Sequence, residues 1–393
     1  MTDDIVIVSA ARTPFGRVRG GLSPLTAVQL GAVAVRGALA RARLDPAAID
    51  AVVMGQVLQA GAGQNPARQT AVGAGIPLTV PSVAVNSVCL SGARAVIDAA
   101  RMLLAGDADA VVAGGQESMT RAPHLLPGSR LGWAYGSVEA LDHAAHDGLT
   151  DAMSGRSMGA ATEADVAALG LSRAEQDAVA AASHQRAERA AAEGVLTAEL
   201  EPVTVPGRRG DVVVDADEGV RPGTTEESLA GLRPAFAAEG TITAGNASPL
   251  SDGAAAVVVA RASWARAQGL PVLARIAGWG HVAGPDTSLH GQPARAIRRA
   301  AERAGWSIDS LDHLEINEAF AAVAIQSARD LGVDFERVNP HGGAIALGHP
   351  IGASGARLVA HAAHVIAAGG AERAAVALCG GGGQGDALLL ERA

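Results

Sequence analysis

The two ends of this chain follow the same order of structural elements. The sequence SGAR occurs at 91–94 and again at 354–357. Each copy opens a predicted helix, which leads to a strand of small residues and then to a glycine turn, GGQES in one half and CGGGGQG in the other. A four-residue match is weak evidence in a chain rich in Ala, Gly and Arg, but the element order and the closing turn agree as well. The pattern therefore predicts a duplicated α/β unit, which constrains the fold more than any other feature.

Hydrophobic periodicity predicts alternating strands and helices through most of the chain. The predicted strands cover 4–8, 51–57, 83–85, 109–113, 272–278, 314–316 and 374–378, with a further buried strand near the end of 241–260. The predicted helices cover 26–43, 91–105, 172–193, 293–304, 317–331 and 354–368. Proline, histidine and charged residues become more frequent after residue 119, which favours an inserted loop domain. We therefore predict an N-terminal half (1–119 with 250–270), a loop domain (120–249) and a C-terminal half (271–393).

The composition excludes several classes of function. The 393 residues are 49% hydrophobic and 18% charged, which is enough for a large core. A net charge of −9 and only 2% aromatic residues argue against nucleic-acid binding through phosphate contacts or base stacking. All 31 basic residues are arginine, so a lysine Schiff base is impossible and a phosphate must be held by Arg or backbone N–H groups. The first residues lack a signal-peptide pattern and no apolar run is long enough to span a membrane, so we expect a cytoplasmic protein that does not enter a membrane.

Cys89 lies where a predicted buried strand, 83–85, meets the predicted helix at 91–105. Unpaired N–H groups and the dipole at a helix N-terminus favour a thiolate over a thiol, so this position suits a nucleophile. The alternative is a buried, inert cysteine, which the position allows equally well. Cys379 is the other cysteine of the chain, and two thiols so far apart in sequence do not make a disulfide framework.

Four chemically capable residues follow predicted strands or lie in glycine-rich loops: Cys89, Asn317 in NEAFA, His349 in GGAIALGHPIGASGAR and Cys379 in CGGGGQG. Because the strand ends of α/β units converge, the four side chains could share one pocket. Taken singly, each has an ordinary structural explanation. His349 could be a satisfied buried histidine, Asn317 the N-cap of the helix at 317–331, and Cys379 a small core residue.

Arg208, Arg209 and Arg221 cluster near the turns of a predicted hairpin in the loop domain. They could simply solvate a surface. In a chain without lysine, they are also the natural candidates for holding the phosphates of a ligand.

The motifs NSVCLSG, GGQESM, GNASPLSDGAA, NEAFA, GGAIALGHPIGASGAR and CGGGGQG stand in this order along the chain. In sequence, order and spacing they resemble the thiolase family of acetyl-CoA acetyltransferases and 3-ketoacyl-CoA thiolases, over essentially the whole length. The resemblance implies an α/β fold of the duplicated thiolase type, five-layered (αβαβα), with an inserted loop domain that covers the pocket. It also implies a homotetramer built as a dimer of dimers.

The resemblance further implies a reaction. Thiolases catalyse the reversible Claisen condensation of two acetyl-CoA molecules to acetoacetyl-CoA, and the thiolysis of 3-ketoacyl-CoA by CoA, as in the β-oxidation of fatty acids. The implied ligands are acetyl-CoA, CoA and 3-ketoacyl-CoA, and no metal or redox cofactor is implied.

By motif position, the resemblance also assigns roles to residues. Cys89 would accept the acyl group, His349 would be its base, and Cys379 would be the second acid/base. Asn317, through a water, and His349 would stabilise the thioester oxygen during removal of the α-proton. The backbone N–H groups of Cys89 and Gly381 would form the oxyanion hole of the tetrahedral intermediate.

Matching positions imply a set of substrate contacts: Arg221 and Ser228 near the adenosine and its phosphates, Ser248 near the pantetheine, Phe236 and Phe320 along the pocket, and Ser157 and Met158 beside it. Short-chain members of the family usually carry His at the position of Ser157, whereas many broader thiolases do not. The acyl-chain length therefore stays open.

Three alternatives deserve comparison with this prediction. A decarboxylating ketosynthase shares the fold but lacks a second catalytic cysteine, so Cys379 argues against it. A thiolase-like lipid carrier commonly lacks one of the catalytic residues, and all four are present here. A redox or metal-binding pair of cysteines is disfavoured because no second Cys or His lies at ligand spacing from either cysteine.

Overall fold

The computed structural model describes residues 3–393, which fold into alternating strands and helices. The strands are β1 (Ile5–Arg12), β2 (Gly16–Arg17), β3 (Ala51–Gly55), β4 (Ser82–Val85), β5 (Ala110–Ser118), β6 (His124–Leu125), β7 (Leu141–Asp142), β8 (Val203–Val205), β9 (Val212–Val214), β10 (Ser251–Arg261), β11 (Ala274–Ala283), β12 (His313–Ile316), β13 (Arg373–Gly380) and β14 (Gln384–Glu391). The α-helices are α1 (Ala27–Ala42), α2 (Pro66–Gly73), α3 (Ser91–Ala105), α4 (Met158–Val166), α5 (Arg173–Ala192), α6 (Glu226–Ala230), α7 (Ala262–Ala267), α8 (Gln292–Ala304), α9 (Ala321–Leu331), α10 (Ala344–Leu347) and α11 (Ser354–Ala367). Most predicted elements are confirmed, and α3 begins and ends where the sequence predicts.

The two halves of the chain build the same sheet order. In the N-terminal half the order is β1-β10-β5-β3-β4, and in the C-terminal half it is β11-β14-β13-β12. In β12, Leu314 forms an isolated parallel β-bridge with Val338. This bridge occupies the position that β4 has beside β3 in the other half. β1 also pairs with β11, where Val6 faces Arg275, so the two half-sheets join along one edge. This matching order confirms the predicted duplication.

Five layers follow from the way the helices cover the half-sheets. α1 and α2 pack on the outer face of the N-terminal half-sheet, and α8 and α9 pack on the outer face of the C-terminal one. α3 and α11 lie between the half-sheets and share one apolar core with both. The order of layers is therefore αβαβα, as predicted.

Two predictions about local structure are wrong. The strand at 83–85 is not buried: within residues 3–393, β4 is an edge strand paired with β3, and Val83 is 50% exposed. The helix predicted from 317 begins instead at Ala321. The backbone N–H of Asn317 donates to Ala377 O, which extends the parallel pairing of β12 with β13. Asn317 is therefore not a helix N-cap.

The inserted region after β5 contains the local structures expected from its sequence. Ser172 and Glu175 form the predicted capping box at the start of α5. β8 and β9 form a hairpin with Arg208 and Arg209 exposed at its turn, as predicted, but Arg221 lies beyond the hairpin. Over residues 3–393, no helix has both the length and the apolar character that crossing a membrane requires. The boundaries of the three predicted domains stay predictions.

Candidate active site

A cavity of about 290 Å³ lies where the two halves and the inserted region meet. Cys89 reaches it from the N-terminal half, and His349, Cys379 and Gly381 reach it from the C-terminal half. Much of the remaining wall is apolar and includes Met119, Leu149, Leu289, Ala319 and Ile351. The fold thus brings both cysteines and the histidine singled out in the sequence to one apolar cavity.

Cys89 lies on a tight turn between β4 and α3. The preceding residue, Val88, has a φ of +51°, a left-handed conformation that is strained for a β-branched side chain. Ser91 Oγ accepts a hydrogen bond from Ser87 N at 2.9 Å and donates one to Val88 O at 2.6 Å. These two bonds hold the turn, so the sulfur is presented to the cavity from a fixed support.

Two opposing effects act on the pKa of the Cys89 thiol. Burial raises the pKa of Cys89 to about 12, although the N–H groups of Cys89 and Gly381 donate to the sulfur and favour the thiolate. The carboxyl of Glu117 adds to the rise. The protein packed around the sulfur, which depends on the tertiary fold, thus opposes the effect of the helix N-terminus. Cys89 therefore needs a base beside it in order to react.

His349 is held by contacts on both ring nitrogens. Nδ1 lies 2.6 Å from Ser354 Oγ, which donates its own proton to Pro350 O at 3.0 Å. Nδ1 must therefore carry the ring proton, which leaves Nε2 as an acceptor. Burial, together with the charge of Arg357, lowers the pKa of His349 to about 4. The ring is thus neutral at physiological pH and offers Nε2 as a base.

Asn317 contacts His349 rather than the cavity itself. The side chain is fully buried, and its Nδ2 lies 3.4 Å from His349 Nε2. Its Oδ1 finds no hydrogen-bond partner within residues 3–393. A buried amide oxygen is costly to leave unpaired, so this atom is suited to accept a hydrogen bond from a water or a substrate group.

Cys379 lies at the end of β13 and shares the cavity with Cys89. Burial, and secondly the neighbouring Cys89, raise the pKa of the Cys379 thiol well above its usual range. At the next residue, Gly380, a Cβ atom would lie 2.6 Å from Leu90 Cγ. The glycine therefore allows the end of β13 to pack directly against the turn that carries Cys89.

The predicted substrate contacts fall into two groups. One group lines the cavity: Ser157, Met158, Phe236, Ser248 and Phe320. Within it, the rings of Phe236 and Phe320 meet edge to face with centres 6.1 Å apart. The other group, Arg221 and Ser228, lies outside the cavity lining and is exposed. Ser228 is moreover engaged in the capping box of α6, which occupies its hydroxyl.

Glu117 supports the site, although it is not among the predicted site residues. Its fully buried carboxylate accepts hydrogen bonds from the N–H groups of Val57, Leu58 and Gly352, at 3.0 to 3.1 Å. The His349 loop, which contains Gly352, is thereby tied to the end of β3. Burial raises the pKa of Glu117 to about 7. The available signal was the acidic residue of the GGQESM motif, shortly after a run of small and apolar residues.

A second polar cluster lies in the core of the C-terminal half. The donor atoms of His313, Glu315 and His361 lie within 4.8 Å of one another, a spacing that a metal ion could use. The atoms are already paired: His313 Nε2 lies 3.0 Å from Glu315 Oε1, and His361 Nε2 lies 3.0 Å from His341 Nδ1. Arg357 also binds Glu315, at 3.0 Å, and a guanidinium on the same carboxylate opposes a second cation. We therefore describe this cluster as a buried ion-pair network.

Comparison with known proteins agrees with this fold and cavity. Family models of the thiolase N-terminal domain and the thiolase C-terminal domain match residues 5–263 and 270–392. A probable acetyl-CoA acetyltransferase of Mycolicibacterium smegmatis is 53% identical over 388 residues, covering 98% of this chain and 100% of its own. An acetyl-CoA acetyltransferase of Pseudomonas aeruginosa is 49% identical, with 99% of each chain covered. The crystal structure of the Bacillus anthracis acetyl-CoA acetyltransferase matches with a TM-score of 0.96 and 38% identity over 99% of both chains. The chain belongs to the thiolase family.

Proposed function

We propose that this chain is an acetyl-CoA acetyltransferase, which condenses two acetyl-CoA molecules to acetoacetyl-CoA and cleaves 3-ketoacyl-CoA with CoA. The observation that carries the proposal is the meeting of Cys89, His349 and Cys379 in one cavity. Relatives of the same name that match over nearly the whole chain support it. The mechanism uses no metal or redox cofactor, since the CoA thioesters themselves are the substrates.

Neither alternative with the same fold gains support from the comparisons. A ketosynthase has no second catalytic cysteine, whereas Cys379 lies in the cavity beside Cys89. A lipid carrier needs no nucleophile, base and second thiol in one place.

In the first half-reaction, Cys89 Sγ attacks the thioester carbonyl of an acyl-CoA. Because burial holds the sulfur as a thiol, its proton must leave as the bond forms, and His349 Nε2 accepts it. The N–H groups of Cys89 and Gly381, both directed at the sulfur, stabilise the oxyanion of the tetrahedral intermediate. The CoA thiolate then leaves with the proton that His349 holds, and the acyl group stays on Cys89.

In the second half-reaction, a new acetyl-CoA loses an α-proton. Cys379 passes its thiol proton to His349 and then takes the α-proton as a thiolate. The imidazolium of His349, supported by Asn317, donates to the enolate oxygen. The enolate carbon attacks the acyl carbonyl, the Cys89 sulfur departs, and His349 returns its proton to that sulfur. All three groups thus end in their starting protonation states.

Acyl-chain length is a finer part of the proposal. Ser157 lines the cavity, and its Oγ accepts the N–H of Ala160 at 3.3 Å, so the side chain is occupied with the start of α4. Serine is smaller than the imidazole usual in short-chain thiolases, and we propose that the pocket accepts acyl chains longer than acetoacetyl. Arg221 and Ser228 as contacts of CoA, a homotetramer, a cytoplasmic location and a role in β-oxidation are parts of the same proposal that rest on the family resemblance.

Thiolysis tests the proposal. The purified chain, mixed with acetoacetyl-CoA and CoA, should produce acetyl-CoA, and intact mass after rapid quenching should show one acetyl group per chain. Cys89→Ala should lose both signals. A wild-type chain that cleaves no 3-ketoacyl-CoA contradicts the proposal, and acetylation that persists in Cys89→Ala places the nucleophile elsewhere.

A further inference from the structure

Two supports hold the ring of His349, and they belong to two different elements. Ser354, the first residue of α11, lies on the Nδ1 side. Asn317, the residue that follows β12, lies on the Nε2 side. The direction in which Nε2 points therefore depends on how α11 is fixed relative to β12.

A buried ion pair joins these same two elements. Arg357 Nη1 lies 3.0 Å from Glu315 Oε2, and the two side chains are 2% and 0% exposed. Helical spacing places Arg357 on the face of α11 that carries Ser354, three residues earlier. Strand alternation places Glu315 on the same face as Asn317, two residues later. The ion pair thus links the two elements whose side chains, Ser354 and Asn317, contact the His349 ring.

We propose that Arg357 and Glu315 are positioning residues for His349: their buried ion pair fixes α11 against β12, and their charges act on the imidazole that these two elements hold. This inference rests on the function proposed above, in which His349 is the base.

The charge of Arg357 is only partly compensated. Within residues 3–393, its Nε and Nη2 atoms find no hydrogen-bond partner, although the residue is 1% exposed. Its carboxylate partner is shared, because Glu315 also lies 3.0 Å from His313 Nε2 and 3.9 Å from His361 Nε2. The remaining positive charge therefore acts on the neighbouring imidazole and, after burial, is the second cause that lowers the pKa of His349.

Other titratable groups surround the ring. Cys89 and Cys379 line the same cavity, and burial raises the pKa of both thiols, so they are neutral. Glu117 and Glu318 lie on the neighbouring segments, and burial raises the pKa of both carboxyls. Asp252 follows Ser251, whose hydroxyl accepts the N–H of His349, and burial raises the pKa of Asp252 as well. Among the charged groups, Arg357 is the one that lowers the pKa of His349.

The inference is tested by removing the positive charge of Arg357 in one variant and the negative charge of Glu315 in another. Arg357→Met should raise the pKa of His349 by about one pH unit, and Glu315→Gln should lower it. NMR titration of ring-labelled histidine reads this pKa without any catalysis, and His349→Asn identifies the signal. The acidic limb of the acylation rate should shift to higher pH in Arg357→Met and to lower pH in Glu315→Gln.

Matched variants separate this effect from general damage. Arg94→Met removes the corresponding arginine of the first SGAR sequence, which pairs with Asp386, and should leave the His349 titration unchanged. Arg357→Lys keeps the charge and should restore most of the wild-type value. Arg357→Met combined with Glu315→Gln leaves no unpaired buried charge, so it should fold even where a single variant does not. It should shift the His349 titration less than Arg357→Met alone.

Two results would overturn the inference. In one, the pKa of His349 shifts in the same direction in Arg357→Met and in Glu315→Gln. In the other, it shifts in neither Arg357→Met nor the double variant. Opposite shifts in the NMR titration without a matching change in the acylation profile would instead remove His349 from its role as the base. A failure of the inference is therefore distinguishable from a failure of the proposed function.

Discussion

Gly92 and Gly355 occupy the same position in the two SGAR sequences, and each lies against the helix that carries the other. A Cβ atom on Gly92 would lie 2.7 Å from Ala356 N, and one on Gly355 would lie 2.3 Å from Ala93 N. α3 and α11 therefore cross with their backbones nearly in contact. Since Cys89 precedes one helix and His349 precedes the other, this crossing sets the separation of the two groups.

Alanine at Gly355 should destabilise the fold, because the added methyl group meets backbone atoms that cannot move aside cheaply. We expect the free energy of unfolding to fall by about 1–3 kcal/mol, measured by urea denaturation. Gly231→Ala is the control, since Gly231 has a φ of −74° and a Cβ there meets nothing within 4 Å. Equal stability of the two variants would show that a methyl group fits between α3 and α11 at this crossing.

Cys379→Ala should separate the two half-reactions. The variant keeps Cys89 and His349, so labelled acetyl-CoA should still acylate the chain. Exchange of the α-proton and condensation should fall by about 10² to 10⁴, the range for loss of a general base. Intact mass and condensation assays on one preparation measure both effects. Condensation near the wild-type rate would make Cys379 a structural residue.

Ser157→His should narrow the range of acyl chains, because the imidazole fills space beside the cavity. We expect thiolysis of a six-carbon 3-ketoacyl-CoA to fall at least about tenfold relative to acetoacetyl-CoA, as kcat/KM, the scale of a methylene-sized steric effect. Ser157→Ala is the control, since it removes the N-cap bond to Ala160 without adding bulk. A wild-type chain that rejects six-carbon substrates, or an unchanged ratio in Ser157→His, argues that another residue sets chain length.

Stability against acid should depend on Glu199, a fully buried carboxylate that lies 2.6 Å from Arg12 Nε and 2.8 Å from His361 Nδ1. Burial opposes ionisation of Glu199, but the charges of His361 and Arg12 outweigh it and hold the pKa of Glu199 well below its ordinary 4.5. Such a carboxylate stabilises the fold above that ordinary value, and the contribution is lost as the pH falls toward the folded pKa. Burial likewise opposes the charge on His361, but Glu199 and Glu315 raise its pKa above 6.5. That contribution is complete below pH 6.5 and is lost as the pH rises through the folded value.

The two contributions overlap between about pH 4.5 and 6.5. In this window, Glu199→Gln should lower the free energy of unfolding by about 1–3 kcal/mol, because Arg12 and His361 each lose one of the two carboxylates that face them. Its stability should also depend less on pH than that of the wild type, as measured by thermal unfolding across the range. Glu201→Gln is the control, since Glu201 is partly exposed and lies 3.6 Å from Arg41. If the stability of Glu199→Gln depended on pH in the same way as that of the wild type, Glu199 would not be a source of the pH dependence.

The sequence predicts the elements well where its signals are local. The bounds of α3, the capping box at Ser172 and the duplicated order all follow from periodicity and turn residues. The shared cavity of Cys89 and Cys379 follows from strand ends that converge. Three features could not be predicted because they depend on residues distant in the chain. They are the packing that raises the pKa of Cys89, the exposure of β4, and the ion pair between Arg357 and Glu315.

The burial of both sulfur atoms has a consequence outside the catalytic cycle. Peroxides and alkylating reagents attack thiolates much faster than thiols. Because desolvation raises the pKa of both thiols, we expect the resting site to react slowly with such reagents. The reactivity of Cys89 should therefore depend on transfer of its proton to His349, the step that attack on a thioester requires.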